Sequence, residues 1–196
     1  MNACPEGALT LGERIHVDRT RCTLCGRCVD ACPAAAMSVQ GRSIGAQEAA
    51  ELLLRDRVFF GAHGGVTLSG GEVMLQWKFA AEVLARCRKA GVNTEVESCL
   101  LASREAMEAM LPVTDQFLVD IKFLDPALHR MHLGADNRVI LENFQWLLAH
   151  GARVLVRTPL IPGYTAAEDN IRAIARYLRR NAPQTPRVLL NFNPLC

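Results

Sequence analysis

The sequence predicts an α/β fold: a parallel sheet built from alternating strands and helices, preceded by a small cysteine-rich segment. Three observations carry this. Five short apolar runs alternate with amphipathic stretches of helical period after Ser43. Glycines and capping residues mark where those stretches stop. Five of the eight cysteines fall in the first 32 residues. The texture changes at Ser43, so the expected division is residues 1–43 and 44–196. A chain of 196 residues holds one good core and a small appendage.

Composition narrows the function classes. Half the residues are hydrophobic and 21% are charged, as in ordinary globular proteins. The net charge of +2, with both signs mixed along the chain, gives no case for a nucleic acid or an anionic membrane as partner. No apolar run reaches the ~18 residues of a membrane helix. The N-terminus lacks the basic start and apolar stretch of a signal peptide. A reducing, cytoplasmic setting is the expectation, and there clustered cysteines more often bind metal than form disulfides.

The first element is CTLCGRCVDACP. Its C-x2-C-x2-C-x3-C-P spacing is the bacterial ferredoxin run. Three thiolates two residues apart wrap a loop round three irons of a cube. The fourth lies too far round and serves a neighbouring cluster. The bland alternatives are a zinc knot or a disulfide pair, but zinc sites usually pair one C-x2-C with a distant second pair, not three evenly spaced thiols followed by Cys-Pro. The reading is therefore a [4Fe–4S] cluster held by Cys22, Cys25 and Cys28. Crossed ligation makes Cys4, of the isolated Cys4-Pro5, its fourth ligand. Cys32 is left to a second cluster whose other ligands would precede Met1. Between Cys4 and Cys22, ALTLGERIHVD reads as two short strands around a turn.

The later elements follow in order. AQEAAELLLRDRVFF has helical period and GVTLS is a short strand. LQWKFAAEVLARCRKAG is an amphipathic helix, with Gly91 at the expected C-cap. NTEVES is a strand, SREAMEAML a helix, QFLVDIK a buried strand and DPALHRMH a short helix. RVILENFQWLLAHG is a long helix ending at Gly151. ARVLVRTPLI is a strand, and TAAEDNIRAIARYLRR a helix opened by a Thr165–Glu168 capping box. RVLLNF is the last strand. No repeat or low-complexity segment is evident. Cys87, within a helix, and Cys196, at the end, read as plain thiols rather than ligands.

Ligands of such folds sit at the carboxyl ends of the strands. Those ends read Ser69-Gly70-Gly71-Glu72, Glu97-Ser98-Cys99, Asp120-Ile121-Lys122, Arg157-Thr158 and Asn191-Phe192-Asn193. Paired glycines let a ligand approach the backbone. Glu72 suits an ammonium group and Lys122 a carboxylate, so the set suits an amino acid moiety. Taken singly, SGGE is also a plain turn, and Asp120 and Lys122, on one face of a strand, are also a mutual salt bridge.

The motifs VTLSGGEVMLQ, TEVESCL, FLVDIK, HRMHLGADNRVILEN and VRTPLIPGY together resemble the glycyl-radical-enzyme activating enzymes. These are the radical S-adenosylmethionine (SAM) group of the pyruvate formate-lyase activating enzyme type. The resemblance runs over most of the chain. It implies a partial (β/α) TIM-like barrel lacking its first strand, with a partial ferredoxin-like insert at the N-terminus. It implies that Ser69, Gly70, Gly71 and Glu72 bind the SAM amino group. Glu97, Ser98, Asp120 and Lys122 would line the pocket near its carboxylate and a cation, with Arg157 on the same rim. Asn193 stands near the place where the family often carries a SAM-contacting histidine. His129 and His132 read as structural or substrate-facing. The implied reaction is reductive cleavage of SAM to a 5′-deoxyadenosyl radical that takes hydrogen from a glycine of a glycyl radical enzyme. A flavodoxin or ferredoxin-type protein would donate the electron. The family's reaction uses a C-x3-C-x2-C loop after the first strand, and these residues contain no such run. The chain is therefore expected to be clipped at both ends. The competing readings are an iron–sulfur electron-carrier module and an inactive remnant.

Overall fold

The structure is a computed structural model that describes residues 3–193. The chain divides into two compact units, one up to Ile44 and one from Gly45 onward.

In the first unit, β1 (Leu9–Leu11) and β2 (Ile15–Val17) form an antiparallel hairpin, with Leu9 opposite Val17 and Leu11 opposite Ile15. α1 (Arg27–Asp30) is one turn, entered through Gly26 at φ +77°. The two Cys-Pro pairs build the same turn. The Gly7 N–H donates to the Cys4 carbonyl at 3.2 Å, and the Ala35 N–H to the Cys32 carbonyl at 3.1 Å. The N–H groups of Ala8 and Ala36 donate to Cys4 Sγ and Cys32 Sγ, each at 3.2 Å. The third residue after each cysteine is left-handed, Gly7 at φ +57° and Ala35 at φ +49°. This short repeat is hidden from a reading by identity, because CPEGALTL and CPAAAMSV share only Cys, Pro and one Ala.

In the second unit, α2 (Ala46–Leu54) is shorter than its helical period predicts, and Arg57–Phe59 is a separate 3-10 turn. Val58 and Phe59 are each 82% exposed, so their apolar side chains find no packing that would extend the helix. β3 (Gly65–Leu68) follows, then a 3-10 turn over Val73–Gln76 and α3 (Trp77–Lys89). Gly65 is required at this entry, because a Cβ there would lie 2.3 Å from the Asn93 carbonyl oxygen. Gly91 takes the left-handed cap at φ +74°, its N–H bonded to the Arg88 carbonyl at 2.8 Å. Next come β4 (Asn93–Ser98), α4 (Arg104–Met110), β5 (Gln116–Asp120) and α5 (Pro126–Leu133). α5 opens on Asp125, which accepts the N–H groups of Ala127 and Leu128, with Pro126 at the first position. α6 (Arg138–Ala149), β6 (Val154–Leu160), α7 (Glu168–Asn181) and β7 (Arg187–Asn191) complete the series.

The expected capping box does not form. α7 starts at Glu168 with Ala167 as its N-cap. The Thr165 hydroxyl is instead spent inside the turn after β6, accepting from the Ile161 N–H at 2.9 Å and donating to the Pro159 carbonyl. Thr165 is 2% exposed, and a buried hydroxyl answers the nearest orphan backbone groups first.

The sheet is wholly parallel in the order β3-β4-β5-β6-β7. Alternate strand residues (Val66, Val96, Phe117, Val119, Val154 and Val156) join Val83, Leu84, Met107, Met110, Phe144, Leu147, Ile174 and Leu178 of the helices in one core. Phe117 and Phe144 are fully buried, each worth roughly 2–3 kcal/mol of transfer energy. The intervening residues, including Thr67, Glu95, Glu97, Leu118, Asp120, Leu155 and Arg157, are half-buried or exposed on the opposite face. No helix among the described residues is long and apolar enough to cross a membrane.

Candidate functional site

The structure gathers the cysteines of the first unit selectively. Cys4, Cys22, Cys25 and Cys28 line one cavity of about 280 Å³, walled by Ala8, Leu9, Val17, Val29 and Met37. Cys32 is not among its lining residues. The C-x2-C-x2-C loop is left-handed at Leu24 (φ +56°) and Gly26 (φ +77°). A leucine there costs about 1–2 kcal/mol, the kind of strain that persists where a loop is shaped for a ligand. Among the described residues no three His, Cys, Asp or Glu side chains converge as they would on one metal ion. Four thiols round a cavity of mixed, mainly apolar wall fit a larger group, and a four-iron cube ligated by thiolates is such a group. The Ala36 N–H holds the Cys32 thiol below its ordinary range.

In the second unit, the strand ends form a rim. After β3, Gly70 takes φ +126°, a conformation closed to most side chains. A Cβ at Gly70 or Gly71 would meet nothing within 4 Å, so this backbone is open to a ligand. Glu72 locks the turn to its neighbours. Its carboxylate accepts from the Met74 N–H at 3.0 Å, Ser98 Oγ at 2.7 Å and the Cys99 N–H at 2.9 Å. Burial pushes the Glu72 carboxyl up, but the bonds from Ser98, Met74 and Cys99 outweigh it, and the group stays below its usual range. The Cys99 thiol is pushed up to about 11, by burial first and by the Glu72 carboxylate second. It is therefore a neutral thiol at physiological pH.

The remaining charges form a chain along the rim. Arg157 donates Nε and Nη2 to Asp120 Oδ1 at 3.0 and 2.8 Å, and Nη2 to Glu97 as well. Those partners raise the Arg157 pKa, the Glu97 bond most of all. Lys122 Nζ lies 3.6 Å from Asp120 Oδ2, and its side chain is 32% exposed. Lys122 is thus loosely held, whereas Arg157 is committed to two carboxylates.

The other predicted residues divide. His129 is buried, with Nδ1 2.6 Å from the Ala135 carbonyl oxygen, so it is structural. His132 stacks on Phe123 at 5.3 Å and meets Tyr164 edge-on at 5.2 Å. Cys87 is fully buried in α3. Ser69 leads into the open turn, and Asn193 follows β7. Cys196 lies outside the described residues. The linkage of Glu72 to Cys99, and the bonds from Asn143 Nδ2 to the Leu100 and Ala102 carbonyls, escape the sequence reading. The only signal for Asn143 is a polar residue at a core-facing position between Ile140 and Leu147.

Comparisons with known proteins bear on both units. The radical SAM superfamily model matches residues 19–178, and a 4Fe-4S dicluster domain model matches residues 1–36. Isethionate sulfite-lyase activating enzyme of Desulfovibrio desulfuricans is 34% identical over 185 residues, spanning 91% of this chain and 59% of that protein. Choline trimethylamine-lyase activating enzyme of Oleidesulfovibrio alaskensis is 37% identical over 208 residues, spanning 89% of this chain and 67% of that protein. A crystal structure of a domain of pyruvate-formate lyase-activating enzyme from Bacteroides vulgatus aligns with a TM-score of 0.58 at 31% identity, over 64% of this chain and 77% of that one. SuiB of Streptococcus suis, solved bound to S-adenosylmethionine, shares the fold with a TM-score of 0.64 at 12% identity, over 80% of this chain and 35% of that one.

Proposed function

The chain belongs to the glycyl-radical-enzyme activating enzymes of the radical SAM superfamily, and from that premise we propose that its strand-end rim binds SAM for reductive cleavage. The carrying observation is the convergence of an open Gly70-Gly71 backbone, an ionised Glu72 and a loosely held Lys122 at one end of the sheet. Three rim carboxylates (Glu72, Glu97, Asp120) face two cations (Arg157, Lys122), leaving one net negative charge. SAM carries an ammonium, a carboxylate and a sulfonium, one net positive charge, so the two are complementary. The Glu72 carboxylate and the carbonyls of Gly70 and Gly71 receive the ammonium. Lys122 turns from Asp120 to the carboxylate, and Arg157 fixes Glu97 and Asp120 in place.

With clusters and SAM bound, the chemistry supplied would be one-electron reductive cleavage of the sulfonium C–S bond, giving methionine and a 5′-deoxyadenosyl radical that would take a hydrogen atom from a glycine of a partner enzyme. In the first unit, Cys4, Cys22, Cys25 and Cys28 would hold one [4Fe–4S] cluster, and Cys32 would serve a second. The electron donor is a flavodoxin or ferredoxin-type protein, and the setting is the reducing cytoplasm. The thiols that hold an open iron in this family form a C-x3-C-x2-C run, which these 196 residues do not contain. Their part of the reaction is to bind and orient SAM and to hold the accessory cluster.

Titration calorimetry under anaerobic conditions tests the rim. Charge-assisted contacts are worth ~1.5–3 kcal/mol, so Glu72→Ala and Lys122→Ala are each expected to weaken SAM binding about tenfold or more. Equal affinity in wild type and both variants would remove the basis for the site.

A further inference from the structure

Three asparagines of the second unit are buried and spend their amides on the backbone of the rim. Asn143 in α6 is 3% exposed and donates Nδ2 to the carbonyls of Leu100 and Ala102, each at 2.9 Å. Asn170 in the first turn of α7 is 7% exposed. It donates Nδ2 to the carbonyls of Lys122 at 2.8 Å and Thr165 at 3.0 Å, and its Oδ1 accepts the Leu124 N–H at 3.4 Å. Asn137, at the start of α6, is 4% exposed and donates to the carbonyls of Phe123 and Leu124 at 3.0 and 2.9 Å.

These segments have left the strand ladder, so their carbonyls need partners of another kind. An asparagine NH₂ carries two donors in one plane and bridges two carbonyls at once. Serine offers one donor, and aspartate, when ionised, offers none. The turn after β4 has particular need of a clamp. Leu100 is left-handed at φ +62° with a fully buried side chain, a conformation that persists only when its surroundings determine it. Its N–H goes to Ser98 Oγ at 2.8 Å, and its carbonyl accepts from Asn143 and from the Ala102 N–H. Ser98 and Cys99, the residues just before it, are the groups that hold Glu72.

We propose that Asn143 and Asn170, with Asn137, are positioning residues of the rim: Asn143 sets Glu72 through the turn 98–102, and Asn170 and Asn137 set Lys122 through the segment 122–124. The inference rests on the SAM reading for what the rim binds, but not for what the amides hold. α6 and α7 thus determine from behind the sheet where the two ligand-facing charges stand.

Residue-resolved hydrogen exchange on the ligand-free chain tests the clamp, and SAM calorimetry tests its purpose. Asn143→Ala is expected to speed exchange of the Cys99, Leu100 and Ala102 amides about tenfold or more, with the α3 amides unchanged, and to weaken SAM binding about tenfold. Leu147→Ala, one turn along α6 in the core, serves as the control. It is expected to lower the melting temperature at least as much while leaving rim exchange and SAM affinity near wild type, measured where both variants are folded. Wild-type exchange at the rim of Asn143→Ala would overturn the proposal. So would equal loss of affinity in Leu147→Ala. If wild type itself fails to bind SAM, the SAM reading falls, and rim exchange alone still decides the clamp. Should Asn143→Ala not fold, Asn170→Ser is read in the same way at the Leu124 amide.

Discussion

Ala35 and Leu100 are both left-handed non-glycine residues, at φ +49° and +62°, and they should respond oppositely to glycine. At Ala35, relief of about 1–2 kcal/mol of backbone strain outweighs the added freedom of the unfolded chain, about 0.5–1 kcal/mol. Ala35→Gly should therefore raise the unfolding midpoint of the first unit slightly, and Gly7 at the equivalent turn already makes that choice. At Leu100 the same relief is set against deletion of a fully buried leucine, which costs about 2–5 kcal/mol. Leu100→Gly should lower the midpoint clearly, and denaturant unfolding of both variants checks the two signs. The residue scale is also where the sequence was least legible. Taken alone, SGGE reads as a plain turn, and Glu72 stands out as a ligand group only beside the other strand ends. Its bonds to Ser98 and Cys99 span 26 and 27 positions, and only the pairing of β3 with β4 brings them together. Asp120 with Lys122 was legible as a same-face pair. Their sharing with Arg157, which stands opposite Asp120 on β6, needed the register.

Among elements, the join of α3, β4 and β5 turns on one carboxylate. Asp115, just before β5, accepts the Thr94 N–H at 2.9 Å and Thr94 Oγ1 at 3.0 Å, and Arg88 of α3 donates to it as well. Burial raises its pKa, but the Thr94 bonds and the Arg88 charge outweigh that and hold it below the ordinary value. The folded pKa lies below the unfolded one, near 3.9, so the stabilisation is full above that pH and is lost as pH falls through the folded value. Asp115→Asn should cost roughly 1–2 kcal/mol at pH 7. The gap between variant and wild-type urea midpoints should close as pH falls below about 4. A gap that does not change with pH would show that the carboxylate charge contributes nothing. The central strands β4, β5 and β6 were legible, because each alternates buried residues with more exposed ones around β-branched or aromatic cores. Helix starts were less so: Thr165 and Glu168 have capping-box spacing, but Thr165 is drawn into the turn after β6, and no local pattern announces that.

For the whole molecule, the cavity of Cys4, Cys22, Cys25 and Cys28 makes a sharp comparison. Cys4→Ser should reduce the iron and sulfide bound after anaerobic reconstitution and alter the cluster's electron paramagnetic resonance spectrum. Cys32→Ser should leave that cluster in place, and the reverse pattern would refute the ligand set. A polypeptide of these 196 residues should release no 5′-deoxyadenosine under dithionite, because a cluster with four cysteine ligands offers no open iron to SAM. Robust release would show that cleavage proceeds without a C-x3-C-x2-C run. The strand order has a further consequence, for how the protein is made. β3 to β7 lie side by side in the order in which a ribosome emits them. Each new strand therefore meets its neighbour already in place, across a single crossover, and no strand must be inserted between two that have paired. Such a chain can fold by accretion during synthesis, one strand–helix step at a time. Its contacts are closer in sequence than those of a sheet whose neighbours come from distant parts of the chain.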